Sequence, residues 1–253
     1  MATLTRLTIR IREKRFPSVG DSQARLVLKN VEISATAGEF VAVTGPSGCG
    51  KTTLLNIVAG LDSEYTGEIT MPMRSWEMRP TVGYVFQNPR LLPWRTVLDN
   101  ILLVLPEGAE ALDRARELLQ TVGLWDARHA YPERLSVGMS RRVALARGFA
   151  VNPDILLMDE PYVSLDPQMA RRLRELLLDI WSSRPTTVLF VTHDLREAIM
   201  LSDRILVLPR EAGPVAAEIP VLIPRNERRD EASIEAFRSV LRDDPANGLD
   251  EVI

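Results

Sequence analysis

A glycine-rich loop between two apolar segments constrains this chain more than any other feature. The loop comprises eight consecutive residues, Gly45, Pro46, Ser47, Gly48, Cys49, Gly50, Lys51 and Thr52. It fits the pattern G-x-x-x-x-G-K-[ST], whose backbone wraps around phosphate groups. The apolar run Phe40–Val43 precedes the loop, and a helical pattern over residues 52–59 follows it. This strand–loop–helix order is the context that the pattern requires, so we predict a nucleotide-binding P-loop.

The residue types of the loop suit a triphosphate. Glycines let the backbone point N–H groups at phosphate oxygens, and the N-terminus of the following helix adds partial positive charge. Lys51 can reach the β- and γ-phosphates, the Thr52 hydroxyl can ligate Mg²⁺, and Thr53 belongs to the same predicted site. Cys49 occupies a free position of the pattern and is interpreted as a bystander rather than a redox group. The alternative is a glycine-rich turn that binds nothing, and a P-loop alone does not distinguish kinases, GTPases, helicases and transport ATPases.

Two carboxylates follow the apolar run Ile155–Met158. Burying Asp159 and Glu160 at the end of a strand is costly unless something compensates their charge, and a Mg²⁺ ion would do so. We predict that Asp159 holds the metal and that Glu160 orients and deprotonates the attacking water. The alternative is an acidic pair that merely faces solvent. No guanine-selective N-K-x-D motif is present, which argues against a GTPase.

Composition narrows the class of protein further. The 253 residues carry a net charge of −3, which does not favour a nucleic-acid-binding protein. Cys49 is the only cysteine, so no intrachain disulfide can form. The first residues lack the pattern of a signal peptide, and no window approaches the roughly 20 apolar residues that a membrane helix needs. A role at a membrane would therefore need another chain to span it.

Hydrophobic patterning predicts an α/β fold with a mostly parallel sheet. Alternation at Leu7, Ile9 and Ile11 predicts a half-buried strand, and residues 26–33 suggest another. Unbroken apolar runs at 40–43, 155–158 and 188–191 predict parallel strands that are buried on both faces. Helical patterns cover residues 52–59, 109–122, 141–150, 167–181 and 195–201. Strands that alternate with helices favour the α/β class.

The middle and the end of the chain depart from this alternation. Residues 88–152 read as mostly helical and predict a helical insertion in the α/β core. Apolar runs at 205–208 and 217–223 flank a turn-prone segment and predict a hairpin. A charged tail follows, with a helix expected around residues 234–241, so that residues 204–253 form a hairpin and tail.

The run Leu135–Arg147 resembles the signature motif (L-S-G-G-Q) of the ATP-binding cassette family. Its central residues are Ser136, Val137, Gly138 and Met139. Other motifs of that family follow in the same order. Gln87 resembles the Q-loop glutamine, Asp166 the D-loop aspartate and His193 the switch histidine, and Phe16 lies where the family stacks an aromatic residue on adenine. The resemblance implies one ATPase domain over residues 1–253, with a P-loop NTPase (RecA-like) core, antiparallel strands at the N-terminus and an inserted helical subdomain.

The resemblance also implies how the site is assembled. ATP and Mg²⁺ would be bound between two copies of the chain, with the signature residues of one copy facing the γ-phosphate held by the other. Ser136 stands just before a helical run and can cap it, which creates a second anion-binding helix end. Gln87 would join Thr52 and Asp159 as a metal ligand and sense the attacking water. His193 would bond the γ-phosphate, and Asp166 would connect the two sites.

Two positions depart from the family pattern. Val137 replaces the first signature glycine, and Met139 replaces the glutamine. Because a β-branched residue does not take left-handed backbone angles cheaply, we expect a retained but slower composite site. Gly148 lies inside a helical run, where alanine would be more stable by about 1 kcal/mol, and close packing is the suggested reason.

The segment after Gln87 resembles that of importers of nitrate, sulfonates and taurine, and residues 215–225 resemble the same group. The segment is apolar, with one tryptophan and several prolines, and suits a groove that receives a helix from a membrane permease. Leu91, Leu92 and Trp94 are the candidate docking residues. The resemblance implies a peripheral protein on the cytoplasmic face of the cell membrane, working with a permease and a solute-binding protein. The alternative for this segment is an ordinary packed loop. The alternatives for the whole protein are a lipid-trafficking cassette, a soluble cassette without a transporter, and a small-molecule kinase.

Overall fold

The computed structural model describes residues 6–18, 24–72 and 80–243. In chain order the strands and helices are β1 (Arg6–Phe16), β2 (Arg25–Thr36), β3 (Phe40–Thr44), α1 (Lys51–Val58), β4 (Thr66–Thr70), β5 (Val82–Val85), α2 (Val97–Leu102), α3 (Ala109–Thr121), α4 (Val137–Ala150), β6 (Ile155–Asp159), α5 (Pro167–Ser183), β7 (Thr187–Val191), α6 (Leu195–Leu201), β8 (Arg204–Val207), β9 (Ala217–Pro220) and α7 (Glu231–Asp243). The chain forms two compact units, one made of Met1–Pro80 with Thr187–Ile253 and the other of Thr81–Thr186.

The first unit contains an antiparallel sheet of three strands in the order β2-β1-β4. Ile9 lies opposite Ile33 on one side and opposite Ile69 on the other. Leu7, Ile9 and Ile11 are buried and alternate with more exposed residues. The predicted half-buried strand at the N-terminus is thus confirmed.

The same unit contains the strands that lead into the glycine-rich loop. β3 pairs in parallel with β7 on one side and with β8 on the other, and β9 pairs antiparallel with β8. Every residue of β3 and β7 is buried, as predicted from their unbroken apolar runs. The β8–β9 pairing confirms the predicted hairpin, although β9 ends at Pro220 rather than at residue 223.

The charged tail packs onto this unit through α7, which contacts α6. Ile234 and Leu241 of α7 are buried, so the expected amphipathic helix is present and begins three residues earlier than residue 234. Residues 244–253 of the predicted tail lie outside the described residues.

The second unit carries a parallel pair of strands, β5 and β6, in which Val82 lies opposite Ile155. Between these strands, residues 88–152 hold helices and two short 3₁₀ turns and no strand, and all of these residues lie in the described part of the chain. α4 begins at Val137, four residues before the predicted start. Its N-terminal residues belong to the signature-like run, where the sequence pattern alone gives little helical periodicity.

Candidate nucleotide-binding site

The glycine-rich loop has a backbone that its residue types dictate. Gly45 and Gly50 have φ angles of 148° and 104°, in the region that favours glycine. Space is also limiting. A Cβ atom at Gly45 would lie 2.6 Å from the Leu208 carbonyl oxygen, and one at Gly50 would lie 2.7 Å from Leu28 Cδ2. The loop therefore keeps its path only with glycine at both positions.

Lys51 is buried and its ammonium is turned into the loop. Nζ donates to the carbonyl oxygens of Gly45 at 2.7 Å and of Pro46 at 3.0 Å. An ammonium has three N–H donors, one more than these two bonds use. The arrangement places a positive charge where the loop pattern predicts phosphate.

The start of α1 adds to this charge. Its N-cap is Gly50, which offers no side chain to cap the first N–H groups of the helix. Such uncapped groups and the helix dipole attract anions. Thr52 and Thr53, in the first turn of α1, are exposed and half-buried respectively.

Cys49 is buried, and burial raises the pKa of its thiol. A reactive cysteine needs a lowered pKa, so the environment of Cys49 is the opposite of a redox site. This agrees with its interpretation as a bystander.

Phe16 lies at the end of β1 and is linked to the loop through its neighbour on β2. It pairs in register with Arg25, whose Nη2 donates to the Gly48 carbonyl oxygen at 2.9 Å. Phe16 is 42% exposed, so it is accessible to a ligand. The predicted adenine-stacking residue thus lies in the same unit as the loop. Its strand, β1, is linked to the loop through Arg25 of β2.

His193 is exposed and lies between β7 and α6. The residues before and after His193 are held by hydrogen bonds. Thr192 donates to Glu197 at 2.7 Å, and Asp194 caps α6 by accepting from the Arg196 N–H at 2.8 Å. The backbone that carries His193 is therefore well defined.

In the second unit, the two predicted carboxylates lie at the end of β6 and directly after it. Asp159 is its buried last residue, and burial together with the Asp159 charge raises the pKa of Tyr84 on β5. Glu160 follows with φ 43°, and Ser164 has φ 62°. Left-handed angles cost roughly 1–2 kcal/mol in residues other than glycine, and such strain collects at functional sites.

The signature-like run begins α4. Ser136 is its N-cap and accepts from the Met139 N–H at 3.2 Å, which confirms the predicted cap. Val137 is the first residue of the helix, and it has no left-handed backbone angle. The expected backbone strain at Val137 is therefore absent, because this position takes helical angles that valine tolerates. A slower composite site stays a prediction. The Val137 side chain is 61% exposed at the helix end.

Gly138, the second glycine position of the signature-like run, lies in close contact with Met169. A Cβ atom there would lie 2.7 Å from Met169 Sδ, so the starts of α4 and α5 are in close contact. Asp166 caps α5 by accepting from the Met169 N–H at 2.9 Å. The predicted signature and D-loop residues are thus neighbours through Met169.

Two arginines of α4 hold the segment that carries Gln87, which is itself exposed. Arg147 donates to the Pro89 carbonyl oxygen at 2.7 Å. Arg141 donates to the Gln87 carbonyl oxygen and, at 3.3 Å, to that of Val163. The helix behind the signature run is therefore bonded to the segments after β5 and after β6.

The predicted docking segment is organised by the buried side chain of Asn100. Asn100 Oδ1 accepts from the Leu92 N–H at 2.8 Å. Its Nδ2 donates to the carbonyl oxygens of Leu92, Arg95 and Thr96 at 2.9–3.2 Å. Trp94 is 69% exposed, whereas Leu91 and Leu92 are only half-buried. The segment is fixed in its backbone and presents an aromatic side chain outward.

The oxygen donors Thr52, Gln87 and Asp159 are of the chemical type that Mg²⁺ prefers. Within the described ranges no group of three or more His, Cys, Asp or Glu side chains is placed to hold a metal. Mg²⁺ commonly uses one or two carboxylates together with water and substrate phosphates, so it does not need such a cluster.

A comparison with protein families identifies the chain. A family model described as ABC transporter matches residues 28–163. The chain belongs to the ABC transporter family. A curated relative, the aliphatic sulfonates import ATP-binding protein SsuB of Bacillus subtilis, is 40% identical over 235 residues, which are 92% of this chain and 91% of that protein. SsuB 2 of Burkholderia lata is 41% identical over 239 residues, covering 94% and 85% of the two chains.

Solved ABC transporter cassettes share the fold. The dimeric post-hydrolysis structure of the ATP-binding cassette MJ0796 bound to ADP and Pi is 31% identical, with a TM-score of 0.73 over 86% of this chain and 100% of that one. The predicted α/β class, with its parallel strands and N-terminal antiparallel strands, is confirmed. No helix in residues 6–18, 24–72 and 80–243 is long and apolar enough to cross a membrane.

Several residues that shape the ABC site were not predicted from the sequence. Lys14, Arg25 and Arg141 were not singled out, because each bonds to a segment more than 20 positions away. Asn100 bonds to residues four to eight positions away, but no sequence pattern marks an asparagine side chain that bonds to backbone groups of its own loop.

Proposed function

We propose that this chain is the ATP-hydrolysing subunit of an importer for aliphatic sulfonates. The observation that carries the proposal is the identity of about 40% with SsuB proteins across more than nine-tenths of the chain. Membership of the ABC transporter family makes the chain an ATP hydrolase. Soluble cassettes, lipid-trafficking cassettes and small-molecule kinases have no comparable support.

The first unit supplies the groups that bind the nucleotide. The ammonium of Lys51 and the uncapped N–H groups of α1 neutralise triphosphate charge. The accessible face of Phe16 stacks on adenine, and His193 bonds the γ-phosphate. Burial of Lys51 and the bond from Arg25 to Gly48 support these roles.

The second unit supplies the groups that act on water and on a second nucleotide. Glu160 accepts a proton from the attacking water, and Gln87 orients that water. Thr52, Gln87 and Asp159 are proposed to offer oxygen ligands to Mg²⁺, which supplies charge neutralisation at the phosphates when it is bound. The capped start of α4 faces the γ-phosphate held by a second copy of the chain.

The solute is proposed to cross the membrane through a separate permease, and this chain binds that permease on the cytoplasmic face. Trp94, Leu91 and Leu92 form the docking surface, and a solute-binding protein delivers the sulfonate. The exposure of Trp94 on a fixed loop supports this surface. Taurine and nitrate are the alternative cargoes that an uptake experiment has to distinguish from aliphatic sulfonates.

The decisive test uses Glu160→Gln, which keeps the size of the side chain and removes the base. We expect hydrolysis to fall by at least about 100-fold, because no group then accepts the proton from water. ATP with Mg²⁺ should accumulate between two copies, so the variant should elute from a sizing column as a dimer. The wild-type chain should be mainly monomeric under the same conditions.

Glu211→Gln is the matched control, since Glu211 is an exposed residue between β8 and β9. It should change neither hydrolysis nor elution. A Glu160→Gln chain that stays monomeric at saturating nucleotide would overturn the shared-site proposal. Uptake of an alkanesulfonate, compared with nitrate and taurine in vesicles that hold the permease, then tests the cargo.

A further inference from the structure

Lys14 is a fully buried lysine that the nucleotide chemistry described above does not use. It lies on β1 and is 1% exposed. Its Nζ donates to Asp62 Oδ1 at 2.7 Å, and the Asp62 side chain is 19% exposed. Burying a lysine is costly unless it is paired, and a partner this close provides the compensation.

The strand is distorted at this point. The register of β1 shifts between Ile11 and Glu13 against β4, and between Lys14 and Arg15 against β2. Burial therefore moves from Leu7, Ile9 and Ile11 to Lys14, out of the alternating sequence. Bulges of this kind re-aim a side chain and are common beside functional sites.

The re-aimed ammonium lies against the aromatic ring at the end of the strand. Lys14 Nζ is 4.7 Å from the centroid of the Phe16 ring. A cation at this distance is attracted to the ring face. One side of Phe16 is thereby occupied, and the ring is held with its other side available.

Asp62 connects this pair to the phosphate-binding helix. Its N–H donates to the Asn56 carbonyl oxygen at 3.2 Å, and Asn56 belongs to α1. Its Oδ1 also accepts from the Glu64 N–H at 3.1 Å, which fixes the carboxylate. Lys14 therefore joins the Phe16 strand to the segment that follows α1.

We infer that Lys14 and Asp62 are positioning residues that hold Phe16 as the stacking platform for the adenine base. The inference rests on the proposed function, in which ATP is bound by the P-loop and Phe16. The ion pair sets the position of the base platform relative to the helix that binds the phosphates. Lys14 itself contacts the ring and not the phosphates.

The test compares two ligands, ATP and inorganic tripolyphosphate, both with Mg²⁺ and measured by calorimetry. Lys14→Met removes the charge and keeps the length of the side chain. We expect it to weaken ATP binding roughly fivefold, the scale of a partly buried cation–π contact, and to leave tripolyphosphate binding unchanged. Phe16→Ala should weaken ATP binding by on the order of tenfold, the scale of one base stacked on an aromatic side chain.

A double variant shows whether Lys14 acts through Phe16. Lys14→Met added to Phe16→Ala should cause no loss beyond that of Phe16→Ala, to within about a factor of two, because contacting residues are non-additive. Lys29→Met is the matched control, since Lys29 is an exposed lysine on β2, and it should change neither affinity. Lys14→Met combined with Asp62→Asn leaves no buried unpaired charge and serves if the single variant does not fold.

The outcomes are distinct. Equal weakening of ATP and tripolyphosphate by Lys14→Met, or a full additional loss in the double variant, would overturn the positioning role while leaving the proposed function intact. Failure of the wild-type chain to bind ATP at all would instead overturn the proposed function.

Discussion

At the scale of single residues, three glycines of the second unit lie in close contacts and have no left-handed backbone angle. Gly138 faces the Met169 side chain, and Gly148 faces Val85 Cγ2, which a Cβ atom would approach to 2.9 Å. A Cβ atom at Gly83 would lie 2.3 Å from the Gly148 carbonyl oxygen. The suggestion that close packing explains Gly148 in a helix is therefore confirmed.

These contacts predict which substitutions can be rescued. Gly138→Ala should lower the free energy of unfolding by no more than about 1 kcal/mol, the low end of the cost of overpacking, because the flexible end of Met169 can move aside. Met169→Ala should restore most of that loss, because the obstacle is a flexible side chain. Chemical unfolding followed by tryptophan fluorescence measures both.

Gly83→Ala is the contrasting case, since its obstacle is backbone. It should cost more than Gly138→Ala, and truncating the nearest side chain with Leu156→Ala should give no relief, because the Gly148 carbonyl oxygen remains 2.3 Å from the added Cβ. Rescue of Gly83→Ala by that side-chain truncation, or failure of Met169→Ala to help Gly138→Ala, would contradict the contact geometry.

The sequence predicted residues whose role depends on their immediate neighbours. The glycines and Lys51 of the loop, the cap at Ser136 and the inert environment of Cys49 follow from a few adjacent positions. Gly138 is different, because Met169 lies 31 positions away and only the folded chain brings them together. Motifs of adjacent residues therefore predicted the roles of those residues, whereas no sequence motif predicted contacts between residues far apart in the chain.

At the scale of elements, a charged cluster joins the turn before β3, the strand that leads into the P-loop, to β8 and β9. Arg204 of β8 donates to Glu39 at 2.5 Å and to Glu218 of β9 at 2.8 Å. The Thr36 N–H donates to Glu39 at 2.7 Å. Burial alone would raise the pKa of Glu39, but the bonds from Arg204 and Thr36 outweigh it and lower the pKa below its usual 4.5.

A lowered carboxyl pKa makes stability depend on pH in a defined direction. Glu39 stabilises the fold above its unfolded pKa, and this contribution is lost as pH falls through the lower folded pKa. Glu39→Gln should therefore reduce the melting temperature at pH 7. The difference from wild type should shrink below pH 4.5 and close at lower pH.

Melting temperatures from pH 7 down to pH 3 check this expectation. Glu211→Gln again provides the control, because Glu211 is exposed and its substitution should leave the melting temperature at pH 7 unchanged. A constant gap between wild type and Glu39→Gln across the range would mean that Glu39 acts by shape rather than by charge.

The bounds of helices and strands were predicted well where the alternation of apolar and polar residues was regular. α6 was predicted with its observed bounds, and α5 ends two residues later than expected. The start of α4 was missed because Val137, Gly138 and Met139 give no amphipathic pattern there. In that helix buried residues occur on most sides, including Arg141 and Ala144, so periodicity is a weak signal.

At the scale of the whole molecule, the proposed docking surface requires a partner that covers Trp94. Trp94→Ala should weaken binding to the permease by at least about tenfold, since a buried tryptophan is a common energetic centre of an interface. Sulfonate uptake should fall with it. Hydrolysis by the isolated chain reports whether the variant is folded.

Tyr131→Ala offers a matched comparison, because Tyr131 is another aromatic residue of the second unit and is 43% exposed. It should leave permease binding and uptake unchanged. Equal losses in the two variants, or loss of hydrolysis in step with uptake, would count against Trp94 as a docking residue.

The bonds from Asn100 have a consequence for how partners are chosen. Because they fix the backbone of residues 92–96 within the isolated chain, the loss of conformational entropy occurs on folding rather than on association. The proposed docking loop is then rigid before a partner binds, and we expect its outward side chains to distinguish one membrane subunit from another. We therefore expect that exchanging those few side chains, with Asn100 retained, redirects this ATPase chain to a different permease.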